Sequence, residues 1–295
     1  MNETKKKNLI GRMALLATTL IWGTSFVVLK STLDSVSTLY VLAFRFTGAA
    51  ALMALFGIKQ LKNLNREYLK NGLMAGVCLF VAYVFQTYGL VYTTAGKNAF
   101  LTATYCVIVP FLTWIFTKKR PDRYNVSAAI VCIVGCGLVS LQNDFSIGIG
   151  DGLTMVCGLF YALHIIVLSN APRESSTLLL SLIQFAVAGI LSWIFALIVE
   201  PFPTNIPNDA IISIVYLCVM CTAVCFFLQA IGQKYTPPTQ VAIILTLESV
   251  FGATISAFVY KDPLTFRLIL GFVFIFVAVI ISETKLSFLK IRKKS

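Results

Sequence analysis

Long apolar runs separated by short polar stretches set the pattern of the chain. A helix crossing about 30 Å of hydrocarbon at 1.5 Å per residue needs roughly 20 residues. Ten runs approach that length: 10–29, 38–57, 71–91, 96–117, 126–141, 152–169, 176–199, 210–231, 239–260 and 265–282. The fifth and tenth are short, but flanking Lys and Arg can reach outward past the apolar layer. None shows the alternating polarity of a transmembrane β-strand. The pattern therefore predicts an all-α membrane protein with ten transmembrane helices. The first run has Lys5, Lys6, Lys7 and Arg12 before or at its start, as the core of a signal peptide would. No small-residue cleavage site follows it, and Trp22 and Lys30 lie in or just beyond it, so it reads as a retained span.

Composition sharpens this picture. Of 295 residues, 58% are hydrophobic and only 12% are charged, against roughly 25% charged in soluble domains, and mean hydropathy is +0.86. That excludes a cytosolic enzyme, a disordered chain and a small disulfide scaffold. The net charge of +12 comes from basic clusters lying between apolar runs. Such clusters suit loops facing anionic membrane lipid and not a face tracking nucleic acid. With a cytoplasmic amino end, 19 Lys and Arg fall on inside segments and 4 (Lys30, Lys97, Lys261 and Arg267) outside, Arg45 lying within the second span. The positive-inside bias thus places both termini in the cytoplasm, with a multi-pass chain in the cell membrane, as in a bacterial inner membrane. All eight cysteines fall within spans, which leaves no disulfide framework in the loops. Cys218, Cys221 and Cys225 share a helix face, but no further ligand completes a metal set nearby, so they read as small packing residues.

The chain also aligns with itself. At an offset of 139, Ser37-Thr38-Leu39 meets Ser176-Thr177-Leu178, Phe46 meets Phe185 and Arg45 meets Gln184. The same offset places Trp22 on Tyr161 and Ser25 on His164. At an offset of 143, Cys78 meets Cys221, Gln86 meets Gln229, Gly89 meets Gly232 and Tyr92-Thr93 meets Tyr235-Thr236. Spans 1–5 and 6–10 are therefore two copies of one unit, 1–145 and 146–295 with its basic tail. An odd number of crossings per copy reverses the second copy's direction. This is the inverted repeat of many secondary transporters, whose solute site lies between the halves near the bilayer midplane.

Several stretches together resemble the EamA-type ten-helix members of the drug/metabolite transporter superfamily. They are LIWGTSFVV in the first span, LAFRFTGAA in the second, TTAGKNAFLTATYCVIVPFLTWIFTKKRP through the fourth and YTPPTQVAIILTLESVFGATISAFVYKDPLT through the ninth. The resemblance covers about residues 10–282. The family usually has Pro after the mid-helix Glu, where this chain has Ser249 after Glu248, and Asp262-Pro263 stands in for a second acid and its neighbour. The resemblance implies alternating access around a central cavity lined mainly by spans 1, 3, 4, 6, 8 and 9, and export as the direction of transport.

Polar groups inside the spans are the candidate site residues, since a charge at the bilayer centre costs roughly 2.5–3.5 kcal/mol even on lenient scales. Arg45, about 10 Å deep in the second span, reads as a structural or gating cation. Glu248, about 18 Å deep in the ninth, is the one acid well inside any span; it could bind a cationic group, carry a proton or serve a structural partner. His164 is the one histidine, suited to a proton site or to packing. Gln86 and Gln229 occupy equivalent places, where amides can hold a polar solute or bond helix to helix. Trp22, Tyr83, Tyr105 and Tyr161 lie too deep for interfacial anchoring and form either a wall for substrate or simple packing. Pro110 is expected to kink the fourth span and to act as a hinge. Lys97 reads as a loop lysine near the outer start of that span. AGKN at 95–98 lacks phosphate-loop spacing, and no ATPase domain is evident.

The sequence thus predicts a secondary transporter, an exporter of small organic metabolites such as amino acids. It has no catalytic residues, metal or cofactor, and its partners are a small-molecule substrate and membrane lipid, with no nucleic acid. The oligomeric state stays open, and a monomer would suffice. The competing class, a non-transporting integral membrane enzyme or sensor, would need His or Asp clustered near one face.

Overall fold

The computed structural model describes residues 3–118, 120–141, 147–169, 176–236 and 238–286. The helices in chain order are α1 (Glu3–Thr32), α2 (Thr38–Gly57), α3 (Arg66–Tyr92), α4 (Ala95–Thr102), α5 (Tyr105–Thr117), α6 (Arg123–Ser140), α7 (Ile149–Ser169), α8 (Thr177–Val199), α9 (Asn208–Cys218), α10 (Cys225–Tyr235), α11 (Pro238–Tyr260) and α12 (Phe266–Thr284). Among the described residues, nine helical stretches are long and apolar enough to cross a membrane. α11 is 23 residues long, and its apolar part, Ile244–Tyr260, is shorter than these nine. Polar caps fix several starts: the Asn65 side chain accepts from Tyr68 N at α3, and Asp122 accepts from Tyr124 N and Asn125 N at α6.

Two predicted spans are composite. The eighth is α9 and α10 joined by a π-helical turn, Val219–Val224. The fourth is α4 and α5, and its interruption is not at Pro110. Pro110 sits inside α5, while the break falls at Ala103–Thr104, where Thr104 N and Cys106 N bond to carbonyls three residues back. The Thr104 hydroxyl bonds Leu101 O at 2.6 Å, giving the backbone a local competitor to the helical ladder.

The inverted duplication appears directly in the packing. α3 packs on α7 as α10 packs on α1, α7 touches α4 and α5 as α1 touches α11, and α2–α8 and α6–α12 each join equivalent helices. Apolar surface gives little drive to pair helices in lipid, so close approach and dispersion must do so, and glycines permit it at matching places. A Cβ on Gly150 would meet Gly89 O, Tyr92 and Thr93, and one on Gly11 would meet Gly232 O, Tyr235 and Thr236. These are the same contacts in the two copies.

Aromatic rings repeat the symmetry at the centre. Phe46 stacks on its equivalent Phe185 at 6.2 Å. Phe46 meets Tyr83 edge-on at 5.0 Å and 87°, and Phe185 meets Phe226 at 5.0 Å and 86°. Tyr83–Tyr161 (5.6 Å, 72°) likewise matches Phe226–Trp22 (5.9 Å, 70°). The architecture is an all-helical membrane fold of two inverted five-helix repeats enclosing a central cavity.

Candidate functional site

The cavity between the repeats has a volume of about 690 Å³, within the range of small-molecule sites. All eight residues expected to face a solute line it: Trp22, Tyr83, Gln86, Tyr105, Tyr161, His164, Gln229 and Glu248. Arg45 lines it too, whereas Pro110 is not among the lining residues. The wall extends beyond the six spans that the resemblance implied. α2 contributes Arg45, α8 contributes Leu180, Ser181 and Gln184, and α12 contributes Glu283.

Several polar side chains are held by neighbours on other helices. Arg45, only 2% exposed, donates from Nε to Thr222 Oγ1 at 2.8 Å and from Nη2 to the Tyr83 hydroxyl at 3.3 Å, with its guanidinium 4.8 Å from the Tyr83 ring centre. Its Nη1 makes no hydrogen bond among the described residues. Thr222 lies in the π turn and itself donates to Leu217 O five residues back. Trp22 Nε1 donates to Cys221 O at 2.8 Å. The π turn thus presents both a hydroxyl and a carbonyl to the cavity wall, a use such turns often have at functional sites.

Across the cavity, Tyr161 donates to Gln86 Oε1 at 2.9 Å, and Gln86 Nε2 donates to Thr102 Oγ1 at 3.1 Å. His164 Nε2 and Gln184 Oε1 are 2.8 Å apart. Glu248 differs from these: it is 7% exposed, lines the cavity and has no hydrogen-bond or ion-pair partner among the described residues. Neither a hydroxyl nor Arg45 satisfies it. A buried carboxylate without a partner requires a cation or a proton, so the geometry leaves a ligand role open.

Polar contacts join the helices at one end of the bundle. Lys30, in the last turn of α1, donates to Leu90 O at 2.9 Å and to Thr93 O at the end of α3. The Thr93 hydroxyl donates to Asp151 at the start of α7, and Lys97 of α4 pairs with the same carboxylate at 3.3 Å. Lys97 is therefore an interhelical ion-pair partner and not an ordinary loop lysine. Leu168 in the last turn of α7, Ser181 in the second turn of α8 and Glu283 in the last turn of α12 carry the cavity toward the opposite end.

Sequence reading missed Gln184, Asp151 and Glu283 as site residues. The internal alignment already placed Gln184 over Arg45. Asp151 and Glu283 each lie one residue outside a predicted span, where apolar run length stops being informative but the helix continues. Among the described residues, no cluster of His, Cys, Asp and Glu could hold a metal ion.

Comparison with known proteins accords with this architecture. The chain matches the EamA-like transporter family twice, over residues 9–141 and 148–284. It is 35% identical over 280 residues to an uncharacterized transporter of Archaeoglobus fulgidus, covering 93% of this chain and 86% of that protein. It is 20% identical over 199 residues to the uncharacterized transporter YoaV of Bacillus subtilis, covering 65% of this chain and 68% of that protein. A crystal structure that is 15% identical superposes with a TM-score of 0.64, covering 94% of this chain and 97% of that one, a likeness of fold alone.

Proposed function

The chain belongs to the EamA-like transporter family, and we propose that it is a secondary transporter exporting small organic metabolites of the amino acid class by alternating access. The observation that supports this most is the cavity itself, which lies between two inverted repeats and draws its polar groups from equivalent positions in both. The spare Nη1 donors of Arg45 suit a carboxylate, and unpartnered Glu248 suits an ammonium group. The aromatic rings of Trp22, Tyr83, Tyr105 and Tyr161 surround the space between them.

The basic clusters assign the amino- and carboxyl-terminal end of the bundle to the cytoplasm. The latch of Lys30, Thr93, Asp151 and Lys97 then closes the outer face, and the cavity reaches toward the inner one, as a conformation loading solute for export requires. Inverted halves supply an outward-facing counterpart by exchanging the roles of the two repeats. The driving force in this reading is the solute gradient or a proton gradient, with Glu248 and His164 as the groups able to carry a proton.

Counterflow in proteoliposomes tests the proposal. Vesicles preloaded with a mixture of amino acids should accumulate a labelled amino acid transiently and without ATP, and an imposed proton gradient should change the rate if protons are coupled. A flat time course for every amino acid would contradict it and favour the sensor or enzyme class.

A further inference from the structure

We propose that the transported solute carries two cationic groups and one carboxylate, as a basic amino acid does, and that Glu283 is the second carboxylate that selects it. This rests on the transport reading of the cavity and narrows its substrate. Among the described residues, the charged side chains lining the cavity are one guanidinium and two carboxylates: Arg45, Glu248 and Glu283. His164, the remaining titratable ring of interest, is bonded to Gln184.

Glu283 occupies an unusual place. It sits in the last turn of α12, where the exposed helix carbonyls disfavour negative charge, and it is half-buried against the cavity. Among the described residues it has no hydrogen-bond or ion-pair partner. The nearby cation, Lys285, directs its Nζ to Asp122 instead, at 2.6 Å. That contact holds Asp122 below the usual carboxylate range, and Lys285 reaches Glu283 only through space, without an ion-pair contact. Glu248 and Glu283 line the same cavity as Tyr105 and Cys106 at the start of α5.

Charge matching then ranks the solutes. By charge count, a basic amino acid has one carboxylate for Arg45 and one ammonium for each glutamate. A neutral amino acid leaves one carboxylate unpaired, an acidic one adds a surplus anion, and a diamine leaves Arg45 without an acceptor. Leu79, Leu180 and Leu245 give the methylene stem an apolar surface. A hydrogen bond to a charged group contributes enough to discriminate by roughly tenfold or more.

The test is counterflow by the full-length protein in proteoliposomes with labelled lysine, leucine, glutamate or putrescine. Lysine should move fastest, and unlabelled lysine should inhibit leucine counterflow by the unaltered protein at roughly tenfold lower concentration than leucine itself. Glu283→Gln should lower the ratio of kcat/KM for lysine to that for leucine about tenfold, and Glu283→Asp should restore part of that ratio. Equal losses for lysine and leucine in Glu283→Gln, or no advantage of lysine in the unaltered protein, would overturn the assignment. Leucine transport without lysine transport defeats the substrate class alone. Absence of all four fluxes defeats the transport reading with it.

Discussion

Replacing Glu248 with Gln is expected to lower transport by roughly one to two orders of magnitude while leaving the amount of folded protein in the membrane nearly unchanged. The reasoning starts from the missing partner. Glu248 is 7% exposed and faces the cavity, and no hydroxyl, amide or cation among the described residues bonds it. An amide of the same shape therefore breaks no interhelical bond and removes a cost of burying charge, so stability should hold or rise. What it removes is the charge that a solute ammonium would meet, worth about 1.5–3 kcal/mol for a hydrogen bond to a charged group. Counterflow rates set beside the yield and thermal stability of purified protein separate the two effects. A parallel loss of flux and folded protein would mark Glu248 as structural.

Replacing Lys30 with Met is expected to release the closed end of the bundle. Its ammonium bridges α1 to the terminal carbonyls of α3, where a cation at a helix C-terminus contributes about 1–2 kcal/mol in a partly buried setting. The helices it joins belong to different packing groups: α1 lies chiefly against α10 and α11, and α3 chiefly against α7 and α8. By the internal alignment the equivalent of Lys30 is Ser169, so the opposite end carries no matching lysine. Losing one such contact should shift the balance of the two facing states about tenfold. In a cysteine-free background carrying Leu29→Cys, a membrane-impermeant maleimide added from outside should label the Lys30→Met protein about tenfold faster. Equal labelling rates would show that Lys30 does not hold that end closed.

Much of this fold can be read from the chain because the bilayer imposes a length rule and duplication leaves a register. Run lengths locate the nine long apolar helices and the shorter apolar stretch of α11, and the offsets of 139 and 143 pair Phe46 with Phe185 and Gly89 with Gly232, which the structure places in matching contacts. The buried polar residues that converge on the cavity are also visible, since lipid makes each of them costly enough to stand out. Local backbone departures are not. The break at Ala103–Thr104 depends on a threonine hydroxyl competing for a carbonyl, and Pro110 drew attention to the wrong turn. The π turn that orients Thr222 toward Arg45 has no periodic signature in an apolar run. Glu283 and Asp151 were hidden by hydropathy, which ends a span where charge begins although the helix and the cavity wall continue past it.

The central claim is that two inverted repeats open their shared cavity to one face at a time. Pulsed electron spin distance measurements test it most directly, with labels at exposed Ser35 and Tyr92 across one end, and in a second protein at exposed Asn8 and Glu67 across the other. Adding the transported solute should lengthen the first distance and shorten the second. Distances that both stay fixed, or that lengthen together, would contradict alternating access by this molecule.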